Sequence, residues 1–150
     1  MCSSKVSPKK KVIIHFFYLD TSSNTDFGEV RLHGSRAPNE GRVEIRKNGG
    51  SWGLVCDHGF DINEANVFCK MLGYTNGAEN WHDSSEFGHG NLDFHLDDME
   101  CTGDEISFLD CIAAPWDSHN CHSGEAAAVR CYPSKYYILH SSILTLQSPI

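Results

Sequence analysis

The chain has no C-x-x-C pair, no N-x-[ST] sequon and no internal repeat. It also has no apolar run approaching the roughly 18 residues that a transmembrane helix needs. The two most apolar stretches are short. Residues 12–19 are interrupted by His15, and residues 138–146 are broken by His140, Ser141 and Ser142. The missing C-x-x-C argues against a zinc ribbon or a thioredoxin-type redox motif. Basic side chains are scarce: 12 Lys+Arg stand against 20 Asp+Glu, a net charge of −8. From Phe27 to Cys131 the balance is 7 against 18, or −11. Phosphate neutralisation needs clustered cations, so specific nucleic-acid binding is excluded. No His-Glu-x-x-His and no P-loop glycine pattern occurs, and the chain reads as a non-enzyme.

What is present is cysteine. Six of the seven, Cys56, Cys69, Cys101, Cys111, Cys121 and Cys131, fall within residues 56–131, and Cys2 stands apart. Six cysteines in a compact acidic span read as a disulfide framework made in an oxidising compartment, which implies an extracellular setting. Cys2 reads as an unpaired thiol in a tail. Lys5 and Lys9 to Lys11, followed by the apolar residues 12–19, resemble the charged and apolar regions of a signal peptide, without a small-x-small cleavage site. The expected organisation is an N-terminal tail over 1–27 carrying this signal-like segment, one domain over 28–131, and a C-terminal tail over 132–150.

Gly50 to Tyr74 anchors the element reading. Trp52, Leu54 and Cys56 alternate, so they share one strand face. Asp61 starts a helix over 61–72, with Glu64 as its capping-box partner and Gly73 placed to end it. Ile62, Ala65, Cys69 and Leu72 form a helical stripe, which predicts that Cys56 and Cys69 face one core. Arg42 to Lys47 alternates as a strand, and Asn48-Gly49-Gly50 turns it back on 51–56 as a hairpin. Residues 29–32, 92–99 and 125–131 are further strand candidates, and 106–109 one helical turn. Residues 75–90 lack periodicity and read as a long surface loop.

These residues resemble a scavenger receptor cysteine-rich (SRCR) domain. The stretches that carry the resemblance are VRLHGSRAPNEGRVEI, SWGLVCDHGFDINEANVFCKMLGY, FGHG, LDDMECTGDEISFLDC and HNCHSGEAAAVRC. They cover about Val30 to Cys131. The six cysteines match the six-cysteine group A; the extra group B positions fall near Glu40 and at Tyr74, which are not cysteine. The resemblance implies an α+β fold, a small disulfide-stapled module with a curved, mostly antiparallel sheet cradling one α-helix. It implies the pairs Cys56–Cys121, Cys69–Cys131 and Cys101–Cys111, where cysteine count alone leaves fifteen pairings open.

Candidate site residues follow. If Cys56 pairs with Cys121, Asp57 and Glu125 are held close, and two carboxylates held close call for a cation. The resemblance implies Ca²⁺ there, with His58 standing where the family has a second acid and Ala126 where it commonly has another. A second implied cation site matches Asp97 and Asn120, with Asp98 or Asp93 as helpers; the plainer reading is that these residues cap a strand end and a turn. Of the tryptophans, Trp52 reads as core and Trp81 as an exposed ligand contact. Arg36, Arg42 and Arg46 could bind anionic ligands, although a solvated mixed-charge face explains them as well. The histidines, His58, His82, His89, His95, His119 and His122, read as surface residues rather than zinc ligands. The function expected is an extracellular, scavenger-receptor-like module. It would recognise protein or polyanionic ligands, such as a microbial surface polymer, with Ca²⁺ assisting. It would be secreted or part of a membrane protein's ectodomain, within a larger multidomain protein. Alternatives are an accessory domain of a secreted protease or lysyl-oxidase-like enzyme, or a structural repeat in a tandem array.

Overall fold

The structure, a computed structural model, describes residues 25–133. The tails expected over 1–27 and 132–150, the signal-like segment and Cys2 lie wholly or largely outside the described residues.

The alternation of Arg42 to Lys47 makes the central strand. β2 (Glu40–Lys47) pairs antiparallel, from Arg42 to Lys47, with all of β1 (Gly28–His33). The Asn48–Gly49 turn brings β3 (Gly53–Val55) back against it, with Glu44 opposite Leu54 and Ile45 opposite Gly53. β4 (Ala78–His82), β5 (Phe94–Leu96) and β6 (Ala128–Cys131) complete a six-stranded sheet. Its order is β4-β6-β2-β3-β5, with β1 also on β2. Every ladder is antiparallel except β3 with β5.

β4 replaces part of the loop expected over 75–90. Ala-Glu-Asn-Trp-His has neither alternation nor β-branched residues, so nothing in its composition marks it. Its pairing with β6 makes it a strand, through a register shift between Ala78 and Asn80.

One helix, α1 (Ile62–Met71), packs on the sheet. Its start follows the expected capping box. The Asp61 carboxylate accepts from the Asn63 amide at 2.7 Å, and Glu64 accepts from the Asp61 amide at 2.8 Å. Gly73, at φ 91°, turns the chain out of the last turn. Glu64 also accepts from the buried Cys101 amide at 2.6 Å, fastening the helix to the Cys101–Cys111 loop. Burial pushes the Glu64 pKa up, against the lowering effect of these amide bonds. Replacing Asp61 with alanine should lower unfolding free energy by about 1 kcal/mol, read as a lower urea midpoint. An unchanged midpoint would show that Glu64 alone holds the first turn.

The helix stripe is rotated from the expected one. Ala65, Val67, Phe68 and Cys69 are buried, whereas Ile62 is 40% exposed. The large Phe68 ring, stacked against Phe60 at 5.9 Å, sets which side faces the sheet. Cys56 and Cys69 do not share one core. Val43, Ile45, Val55 and Cys69 belong to the main cluster under the helix, while Leu54 and Cys56 join Phe94, Cys121 and Ala126 in a second, smaller one. The alternation of Trp52, Leu54 and Cys56 holds, but their face is the one turned away from the helix. Disulfides join Cys56 to Cys121, Cys69 to Cys131 and Cys101 to Cys111.

Candidate ligand and cation site

β3 runs out of the sheet at Cys56, which bridges to Ala126. One residue on, the Asp57 amide donates to the Glu125 carbonyl at 2.8 Å. Together with the Cys56–Cys121 disulfide, this holds residues 57–58 beside residues 120–125. The His58 imidazole fills the space between two carboxylates. Its Nδ1 lies 3.1 Å from Asp97 Oδ1, and its Nε2 3.4 Å from Glu125 Oε1. Asp57 turns aside and accepts from the Ser84 amide at 2.7 Å. The two implied cation sites are therefore joined at one ring.

The electrostatics follow from that placement. Desolvation pulls the His58 pKa down, but the Glu125 hydrogen bond and the Asp97 charge outweigh it, so the pKa is raised above 6.5. The Glu125 carboxyl is held below its ordinary value, first by the His122 amide and then by His58, against a desolvation effect that raises it. Asp97 is 2% exposed and accepts from the amides of Asp98 (2.8 Å) and Asn120 (3.3 Å).

Beside this ring lies an open cleft of about 300 Å³, lined by Asp97, Asp98, Ala114, Ser118, His119 and Asn120. Its outer wall is the loop after Cys111. The Ala114 amide bonds the Asp97 carbonyl at 3.1 Å, and the Asp117 amide bonds the His95 carbonyl at 3.0 Å. His95 is buried, not a surface residue. It stacks on Trp116 at 4.6 Å and bonds Asp117 through Nδ1. A Cβ at Gly53 would sit 2.2 Å from the His95 ring, so only glycine lets the ring lie flat on the strand.

The donor chemistry separates the two places. The cleft offers oxygens from Asp98, Asn120, Ser118 and Asp97, a set that suits a hard cation such as Ca²⁺. The space between Asp97 and Glu125 holds an imidazole, whose nitrogen suits Ca²⁺ poorly, and Asp57 is turned away toward the Ser84 amide. Cys56, His58, Asp97 and Cys121 have donor atoms within 4.8 Å of one another. Both sulfurs are in the disulfide, however, so no thiolate is available to a soft metal.

The proposed ligand contacts are scattered. Arg36 is exposed on the β1–β2 loop. Arg42 and Arg46 share the outward face of β2 with Glu44, which is 1% exposed. Arg31 and Arg42 both bond Glu44, at 2.5 and 2.8 Å, and Arg42 also reaches the Phe87 carbonyl at 3.0 Å. Arg46 makes two bonds to Glu29. Trp52 is not core: the guanidinium groups of Arg31 and Arg46 sit 4.1 and 4.5 Å from its ring centre. Trp81 is partly buried against the main core, 6.2 Å from Phe60, rather than an exposed contact. The sequence pattern gave no sign that Glu44 is buried. Arg31 and Arg42 close over its carboxylate, and the loop holding the FGHG motif packs on Arg42 in turn, where a Cβ at Gly90 would sit 2.6 Å from a guanidinium nitrogen.

Gly49-Gly50-Ser51-Trp52-Gly53 matches Gly-x-Ser-x-Gly, and His95 and Asp117 stand near Ser51. The arrangement is not a nucleophile elbow. Ser51 lies in a hairpin rather than between a strand and a helix, and His95 Nε2 is bonded at 2.9 Å to the Ser51 carbonyl. That nitrogen is committed to holding the turn.

A family model for the scavenger receptor cysteine-rich domain matches residues 33–132. The chain belongs to the SRCR family. A sea-star (Patiria pectinifera) SRCR domain superfamily protein is 43% identical over 104 residues, covering 69% of this chain and 9% of that protein. The macrophage receptor MARCO of Mesocricetus auratus is 44% identical over 105 residues, covering 70% of this chain and 20% of that protein. The chain thus spans a fifth or less of the curated relatives it matches. Among solved structures, the third SRCR domain of murine neurotrypsin is 36% identical at a TM-score of 0.64, covering 72% of this chain and all of that one. The SRCR domain of mouse MARCO, in its dimeric form, is 32% identical at a TM-score of 0.56, covering 77% of this chain and 98% of that one. The fold is the small disulfide-stapled α+β module of this family.

Proposed function

We propose that this SRCR domain is a ligand-binding module of a larger extracellular protein, either secreted or the ectodomain of a membrane protein. It recognises protein or polyanionic ligands, such as a microbial surface polymer, with Ca²⁺ held at the Asp97–Asn120 cleft. The observation that carries this reading is the open oxygen-lined cleft at the end of a disulfide-pinned loop pair. Its likeness to macrophage receptor MARCO supports a binding role, and six cysteines in three bridges support the six-cysteine group A type. No helix among the described residues is long and apolar enough to cross a membrane.

A bound Ca²⁺ would supply open coordination positions to ligand anions, which the charge of an acidic domain otherwise repels. This chain's own residues set the conditions. Asp97 is fixed by two backbone amides, Asn120 by the neighbouring disulfide, and Asp98 remains exposed at the rim. Protonated His58 competes for the same Asp97 carboxylate, so Ca²⁺ affinity should rise as pH increases through the raised His58 pKa.

Calorimetric titration with Ca²⁺ on either side of neutral pH tests this, with Asp97→Asn and Asn120→Ala as variants. Binding heat that grows with pH and is lost in both variants is expected, together with Ca²⁺-dependent retention of the domain on immobilised dextran sulfate. No heat and no change of melting temperature with Ca²⁺ would remove the cation from the reading. Retention that ignores Ca²⁺ would instead place polyanion binding on the arginine-bearing face.

A further inference from the structure

We propose that Asn48–Gly49 is a site of spontaneous deamidation, and that conversion of Asn48 to an acid unclips the start of β1 from the β2–β3 turn. The chain has two Asn-Gly pairs, Asn48–Gly49 and Asn76–Gly77. In this reaction the backbone nitrogen of the glycine loses its proton and attacks the asparagine Cγ. A five-membered succinimide forms, the Cγ–Nδ2 bond breaks and ammonia leaves. Water then opens the ring. Cleavage between the nitrogen and Cγ gives aspartate, and cleavage between the nitrogen and the main-chain carbonyl carbon gives isoaspartate.

The fold treats the two pairs differently. Gly77 is buried: its amide donates to the Tyr74 carbonyl at 2.9 Å, its carbonyl accepts from Tyr132, and a Cβ on it would lie 2.3 Å from Asn66 Oδ1. Its nitrogen is tied and its backbone has no room to turn. Gly49 is exposed, and a Cβ there would meet nothing within 4 Å. Its amide has no acceptor among the described residues. The nucleophile is free in one pair and held in the other.

The Asn48 amide is also what the reaction consumes. Its Oδ1 accepts from the Phe27 amide at 3.0 Å, and its Nδ2 donates to Asp26 Oδ1 at 2.7 Å. Both bonds are exposed, so they exchange with water and do not seal the side chain. When Nδ2 leaves as ammonia, a donor facing Asp26 becomes a carboxylate oxygen, and two like charges meet. The isoaspartate product also lengthens the backbone of a tight turn, whose length fixes the hairpin register. The bonds that oppose release are those between residue 48 and Phe27, the retained side-chain oxygen accepting from the Phe27 amide and the Asn48 amide donating to the Phe27 carbonyl at 2.9 Å; repulsion from Asp26 is what draws the new carboxylate away from them.

The test holds the oxidised full chain at mildly alkaline pH and body temperature and maps peptides by mass over time. Asn48 should convert several-fold faster than Asn76 in the folded chain, and the two should convert at similar rates after reduction and denaturation. Asn76 keeping pace in the folded chain, or the same difference persisting in the denatured one, would overturn the fold-controlled site. In a second arm, Asn48→Asp is compared with the wild type by amide hydrogen exchange. Exchange at Phe27 should rise several-fold while the α1 amides stay unchanged. Unaltered exchange at Phe27 would overturn the unclipping.

Discussion

Replacing Cys56 and Cys121 together with alanine should lower the unfolding free energy by about 4 kcal/mol and abolish the Ca²⁺ response. The bridge spans 65 residues, so in the chain-entropy picture it removes much of the freedom of the unfolded chain. Cys101–Cys111 spans 10, and the same replacement there should cost about 3 kcal/mol. The larger effect of the first bridge has a second source. Cys56 is 1% exposed and Cys121 8%, and both pack in the smaller core cluster with Leu54, Phe94 and Ala126. The functional loss follows from position. Cys121 lies between Asn120, which lines the cleft, and Glu125, which meets His58. Without the bridge, the loop depends on the Asp57 to Glu125 and Cys56 to Ala126 backbone contacts. Urea denaturation at one pH, with calorimetry on the same samples, reads both effects. A double variant with the wild-type midpoint would show that the backbone contacts suffice.

The parts of the fold that were legible are those where local chemistry and tertiary contact agree. The capping box at Asp61 and Glu64, the turn at Asn48–Gly49 and the alternation of Val43 with Ile45 each form as their residue types dictate. The parts that were not legible depend on distant partners. β4 exists because β6 offers it a ladder. The helix turned its Phe68 side inward against Phe60, so Ala65 and Cys69 of the expected stripe are buried while Ile62, at the edge of that face, is exposed. Local pattern puts Cys56 and Cys69 in one core because nothing local says which side of a sheet a helix covers, and the fold puts them in two. Glu44 reads as a surface acid, since what covers it is Arg31 from the neighbouring strand and Arg42, itself held by the Phe87 carbonyl more than 40 positions away. The disulfide pairs came from likeness to the SRCR family, not from spacing. For the site, the residue types were visible but their meeting was not. His58 was visible only as a lost acid; that it bridges Asp97 and Glu125 needed the geometry.

That geometry gives the second large effect, in His58→Asp. The substitution removes an internal cation and leaves a third carboxylate beside Asp97 and Glu125, a cluster that near neutral pH calls for a bound cation. Without Ca²⁺, the variant should melt below the wild type; with Ca²⁺, it should recover, and its affinity should rise about tenfold or more, or ~1.4 kcal/mol per tenfold. The pH dependence should change as well. In the wild type, the folded pKa of His58 is raised above 6.5, so its ion pairs contribute fully below 6.5. That contribution is lost as pH rises through the raised folded value and the proton leaves. The variant has no proton to lose in that range, so stability without Ca²⁺ should be flat through neutrality in this respect. It should instead increase toward acid pH, as the crowded carboxylates take up protons. Melting curves with Ca²⁺ and with chelator, across neutral pH, separate these behaviours. If Ca²⁺ affinity and the slope of stability with pH both match the wild type, the His58 ring is a bystander and Asp97 is already neutralised by its backbone amides alone.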